Sequence, residues 1–144
     1  MKKLCSFLIA IVLICGNSGA AIPENFLITK IQSSLRTGDA SELASLFNKK
    51  IELIIDSEQV EFNQIANDHA EFILKAFFRK KTPKDFLVSF KGNDPQKQFF
   101  SGTYVTDSEN FRVYVLLKRK EGQFLIDTIH FRKDSYRNNS IVAD

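Results

Sequence analysis

Two side chains in this sequence have both the type and the setting for acid–base chemistry: Tyr104 and His130. Tyr104 lies in the run Gln98–Thr106 and His130 in Gln123–Lys133, and both runs alternate as half-buried strands do. A third such run, Phe111–Lys120, lies between them. If Ser108-Glu109 is a two-residue turn, Tyr104 faces Val113. If Glu121-Gly122 is another, Val113 faces His130. Phe100, Tyr104, Val113, Val115 and His130 then share one face with Leu117 and Ile126. A phenol that donates to an oxyanion and an imidazole that moves a proton near neutral pH, on an apolar face, would make a small-molecule pocket. The plainer alternative is a histidine at a sheet edge and a tyrosine that only packs. One bulge would carry these side chains to the other face. That opposite face receives Arg112, Tyr114, Lys118, Asp127 and Ile129, with Asp127 diagonal to Lys118 as a cross-strand ion pair.

Other chemistries lack their residues. His69 and His130 are the only histidines, and the only cysteines are Cys5 and Cys15, near the N-terminus. Neither set has metal-ligand spacing, so no metal site is expected. No glycine-rich loop leads from a strand into a helix, so no nucleotide cofactor is expected. The serines lack the strand–turn–helix setting of an activated nucleophile. His69 falls on the apolar side of a helix and reads as a packed residue.

The elements that must position Tyr104 and His130 follow from periodicity. Pro23 suits a helix's first turn. Leu27, Ile31 and Leu35 then recur every fourth residue, with Ile28 beside them, which predicts a helix over about Glu24–Thr37 that Gly38 stops. Asp39 with Glu42 has capping-box spacing for a short second helix burying Leu43, Leu46 and Phe47. Ile51–Ile55 reads as a strand, Asp56-Ser57-Glu58 as a turn, and Val60-Glu61-Phe62 as a short return. Asn63 then caps a third helix, with Ile65, Ala66, His69, Ala70, Ile73, Ala76 and Phe77 as its apolar arc, ending ahead of Pro83. Beyond Asp85 the period becomes two, and Phe86, Val88 and Phe90 mark a strand before the three runs above. Two helices, two strands, a helix and four strands make an α+β domain: three helices packed on a curved, mainly antiparallel sheet.

The first 21 residues have their own signature. Met1-Lys2-Lys3 is basic, Leu4–Ile14 is almost wholly apolar, and Ser18-Gly19-Ala20 and Gly19-Ala20-Ala21 place small residues for cleavage. That is the layout of a signal peptide, too short for a membrane span. The chain is thus expected to be exported, periplasmic or secreted. The alternative is a lipid anchor on Cys15, against which stands bulky Ile14 just before it. Residues 22–133 form the single domain and 134–144 a polar tail. Lys2 and Lys3 are the only charges in the leader, so the remainder carries 18 basic against 17 acidic residues. That near-neutral balance gives no reason to expect a nucleic-acid partner. Of 14 phenylalanines only Phe7 lies in the leader, which predicts an aromatic core.

With these elements in place, the chain resembles a known group. Gly38–Ile55 (GDASELASLFNKKIELII), Phe72–Gly92 (FILKAFFRKKTPKDFLVSFKG) and Gly102–Phe131 (GTYVTDSENFRVYVLLKRKEGQFLIDTIHF) are similar to an exported bacterial family of unknown function, common in Bacteroidota. The resemblance implies the nuclear transport factor 2-like, or cystatin-like, cone. That fold hosts isomerases, dehydratases, binding proteins and assembly modules, so it does not fix a function. The catalytic sets of ketosteroid isomerase and scytalone dehydratase do not map here residue by residue. The balance is therefore against catalysis and for an exported binding or interaction domain. Its partner would be a small apolar ligand, a protein, or a second copy docking through Tyr114, Ile129 and Phe131 on the outer face. The alternative is an isomerase- or dehydratase-type enzyme using Tyr104 and His130.

Overall fold

The computed structural model describes residues 24–135. The expected leader with Cys5 and Cys15, and the tail beyond residue 135, lie outside the described residues. Helix α1 (Glu24–Thr37) buries Leu27, Ile28, Ile31 and Leu35 on one stripe. Gly38 ends it at φ 70°, a left-handed conformation that costs glycine no Cβ clash. Helix α2 (Ala40–Ala44) opens on Asp39, whose Oδ1 accepts from the Glu42 amide at 3.0 Å. Leu46 and Phe47 are buried as expected, but α2 has already ended, and Phe47 begins the first strand.

Six strands form one sheet: β1 (Phe47–Ile55), β2 (Val60–Ala66), β3 (Asp85–Asn93), β4 (Lys97–Val105), β5 (Asn110–Lys120) and β6 (Gln123–Lys133). Their order is β2-β1-β6-β5-β4-β3, with β1 and β6 parallel and every other pair antiparallel. The sheet curves around the three helices, which close its inner face.

Helix α3 (Asn67–Lys80) starts later than the sequence predicts. Val60–Ala66 continues as β2, pairing Phe62 with Leu53 and Ile65 with Ile51, so Asn63 lies within a strand and caps nothing. Starting the helix at Asn67 also turns its buried stripe. Ala70, Leu74, Phe77 and Phe78 face the sheet, while His69 and Ala76 are exposed.

Register decides which side chains reach the inner face. The turn Glu121-Gly122 forms as expected: Lys120 pairs with Gln123, and both turn residues have positive φ, 52° and 78°. The β4–β5 connection is longer than Ser108-Glu109. Val105 pairs with Asn110, and Thr106 Oγ1 closes the loop on the Glu109 carbonyl at 2.5 Å. Tyr104 therefore faces Phe111, and Val113 faces Gly102. A two-residue slip leaves every side chain on its original face. Two bulges do not. In β3 the pairing steps from Val88–Gly102 to Phe90–Ser101, with Ser89 the extra residue. In β6 it steps from Leu117–Ile126 to Leu116–Thr128, with Asp127 the extra residue.

Candidate functional site

The inner face receives most of the residues expected to line a pocket. Phe100, Tyr104, Val113 and Val115 are all fully buried there, with Leu117 and Ile126. Helix α3 fills the space in front of Tyr104. The Phe77 ring lies 5.9 Å from Tyr104, 5.4 Å from Phe111 and 5.0 Å from Phe131, and Phe78 lies 5.8 Å from Tyr104. These are packed aromatic contacts of a core. Tyr104 Oη donates to the Lys81 carbonyl at 2.5 Å, just past the C-terminus of α3. Burial also pushes the phenol up from its ordinary range, so it stays protonated well above neutral pH.

His130 is not with them. The Asp127 bulge sets Phe131 opposite Val113 and His130 opposite Tyr114, so His130 lies on the outer face. The expected pairing of Tyr104 and His130 in one pocket is thus corrected: the sheet separates them. The same shift buries Ile129 and Phe131, which were expected outside. The Asp127–Lys118 pair does form, with Lys118 Nζ 3.1 Å from Asp127 Oδ2.

On the outer face His130 ends a row of rings that crosses four strands. Phe90 lies 5.7 Å from Phe99, Phe99 6.2 Å from Tyr114, and Tyr114 5.8 Å from His130. His130 Nε2 then meets Glu52 Oε1 of β1 at 2.5 Å. Phe90 is 58% exposed and anchors the apolar end. It reaches this face only through the Ser89 bulge. Gly92 gives Phe99 its room, since a Cβ there would collide with the ring. The glutamate and histidine can form a charge-assisted hydrogen bond when the imidazole is protonated. Together the row makes the outer face aromatic along its length and polar at one end. Sequence alternation placed Tyr114 on it but missed Phe90 and His130.

Two further features lie elsewhere. A shallow groove of about 490 Å³ runs between β2 and α3, lined by Phe62, Ile65, His69, Phe72 and Ile73 among others, with Phe72 76% exposed. His69, expected to pack, is thus a groove residue. At the end of the sheet that holds the β4–β5 loop, Glu109 bonds Lys81 and sits 3.0 Å from Lys133 Nζ. Those two ammonium groups hold its carboxyl below the ordinary glutamate range. Among the described residues, no three His, Cys, Asp or Glu side chains gather as metal ligands, and no helix is long and apolar enough to cross a membrane.

Comparison with known proteins places this geometry. A DUF4783 family protein from Bacteroides ovatus has 26% sequence identity and superimposes with a TM-score of 0.68, over 73% of this chain and 93% of its own. Another from Bacteroides uniformis has 24% identity and a TM-score of 0.69, over 74% and 95%. An NTF-2 like protein of unknown function from Silicibacter pomeroyi shares the fold at 14% identity, with a TM-score of 0.58 over 76% and 92%. No curated protein matches the sequence. The model of the domain of unknown function DUF4783 matches residues 28–132, nearly the whole described chain, and the chain therefore belongs to the DUF4783 family.

Proposed function

We propose that this chain is an exported, non-enzymatic interaction domain that works through the outer face of its sheet, with a second copy of itself as the partner. The observation that carries this reading is the division of Tyr104 from His130. The inner face, where acid–base chemistry would need open space, is packed with rings, and the Tyr104 proton is engaged by a carbonyl. The outer face instead presents Phe90, Phe99, Tyr114 and His130 in one row. Its charges are of both signs, with Lys118 beside Asp127 and His130 beside Glu52. A two-fold dimer lays one patch on a copy of itself, and mixed signs avoid the self-repulsion of a single-sign face. Export rests on residues 1–21 alone.

Sedimentation at tens of micromolar tests the proposal. The protein should run as a dimer, and Phe90→Arg with Tyr114→Arg should give a folded monomer. A wild-type protein that stays monomeric across that range would overturn it.

A further inference from the structure

A different part of the molecule carries a polar group that its fold leaves without a partner. Gln98 sits on β4 at an inward position, two residues before Phe100, and is only 2% exposed. Its Oε1 is buried and accepts no hydrogen bond. A buried acceptor without a donor weakens a fold, and an apolar side chain opposite Leu117 would carry no such cost. Gln98 lines a depression of about 340 Å³ with Asn93, Asp94, Pro95, Arg119 and Phe124, at the end of the sheet where the β3–β4 and β5–β6 turns meet.

The rest of the lining is held in place. Asp94 Oδ1 accepts from the Gln96 and Lys97 amides, both at 2.8 Å, so one oxygen of the carboxylate in the lining is engaged by its own loop. The Arg119 amide donates to the Gln96 carbonyl at 3.0 Å, which ties that loop to β5. The Arg119 guanidinium lies 4.9 Å over the Phe124 ring and forms no ion pair among the described residues. Gln98 with its unpartnered acceptor, a cation without an ion pair among the described residues, and the apolar Pro95 and Phe124 thus line one depression, the usual composition of a small-ligand site.

We propose that this depression binds a small monocarboxylate carrying an O–H or N–H donor. A rotation of the Gln98 side chain brings its buried Oε1 to the donor, Arg119 neutralises the carboxylate, and Pro95 and Phe124 flank the apolar body. The site is separate from the outer face, so its failure would leave the dimer reading untouched.

Para-hydroxyphenylacetate is a suitable probe, added to the protein as its host processes it and followed by amide NMR shifts. Saturable shifts are expected at Gln98, Leu117 and Arg119. Phenylacetate, which lacks the donor, and para-hydroxybenzyl alcohol, which lacks the carboxylate, should each bind about fivefold more weakly, the ratio for one net hydrogen bond. Gln98→Leu should abolish the preference for the hydroxylated acid and raise the melting temperature of the free protein. Arg119→Gln, at an exposed position, should abolish the preference for carboxylates and leave the fold intact even if Gln98→Leu does not fold. The proposal is overturned if the probe gives no saturable shift at these residues or if the preferences survive both substitutions. It is also overturned if Gln98→Leu lowers the melting temperature without changing probe binding, since Gln98 would then be a structural, hydrated residue only.

Discussion

Tyr104 shows how burial settles a residue's role. Its hydroxyl is the polar end of a ring otherwise enclosed by Phe77, Phe78, Phe111 and Phe131, and it donates a hydrogen bond to the Lys81 carbonyl. Tyr104→Phe removes one hydrogen bond and keeps the ring, so it should cost about 0.5–1.5 kcal/mol in chemical denaturation. Glu109 makes a pH-dependent contribution. Lys81 and Lys133 depress its carboxyl in the folded chain, whereas the unfolded chain restores the ordinary value. Its stabilisation is therefore complete above the ordinary glutamate range and lost as pH falls through the depressed folded value. Wild type should exceed Glu109→Gln in denaturation midpoint at neutral pH, with the gap closing in acid. A gap independent of pH would show that the ion pairs contribute nothing.

At the scale of elements, α3 is the wedge that fills the cone. Phe77 touches four other aromatic rings, those of Phe78, Tyr104, Phe111 and Phe131, from its buried stripe. Phe77→Ala should cost about 3–5 kcal/mol, the range for buried phenylalanine truncations, and an unchanged denaturation midpoint would contradict that packing. Elements of this kind were legible in the sequence. The spacing of Leu27, Ile31 and Leu35 gives α1 its bounds, and the positive-φ turn at Glu121-Gly122 is visible in its glycine. The start of α3 was not, because Val60–Ala66 contains both a strand pattern and a helix-capping asparagine, and only pairing with β1 decides between them. The candidate pocket failed at the same level. Tyr104 keeps its predicted face through a two-residue slip, whereas His130 loses its own to a single bulge that leaves no local mark in the sequence. Gln98 was missed because a glutamine in an alternating strand reads as an ordinary polar position.

The whole molecule divides into a described domain and flanking segments whose meaning is compositional. The family match spans residues 28–132, and the first described residue is Glu24, so removal of 1–21 leaves every described element in place. N-terminal sequencing of the exported protein should begin at Ala21 or Ile22, consistent with small residues at the cleavage site. A lipid-modified start at Cys15 would sink that expectation and place the domain on a membrane surface. The same segregation bears on charge: if cleavage removes Lys2 and Lys3, the remainder has 18 basic against 17 acidic residues and almost no net charge to steer long-range encounters. On the proposals above, short-range fit at the outer face or around Gln98 would select a partner.

The Asp127 bulge has a consequence for how relatives are compared. A strand is written in a two-beat frame, and the bulge takes up one extra beat at Asp127, so that Thr128–Lys133 resume regular pairing with β5 beyond it. A homologue lacking that one residue would pair the same neighbours without a bulge, keeping its counterpart of His130 outside and its counterpart of Phe131 in the core. A homologue that kept the residue but paired straight through it would present the opposite faces. Across this family, a single-residue gap at Asp127 should therefore leave the equivalence of surface residues intact, whereas an ungapped alignment that carries one extra or missing residue farther along β6 would not.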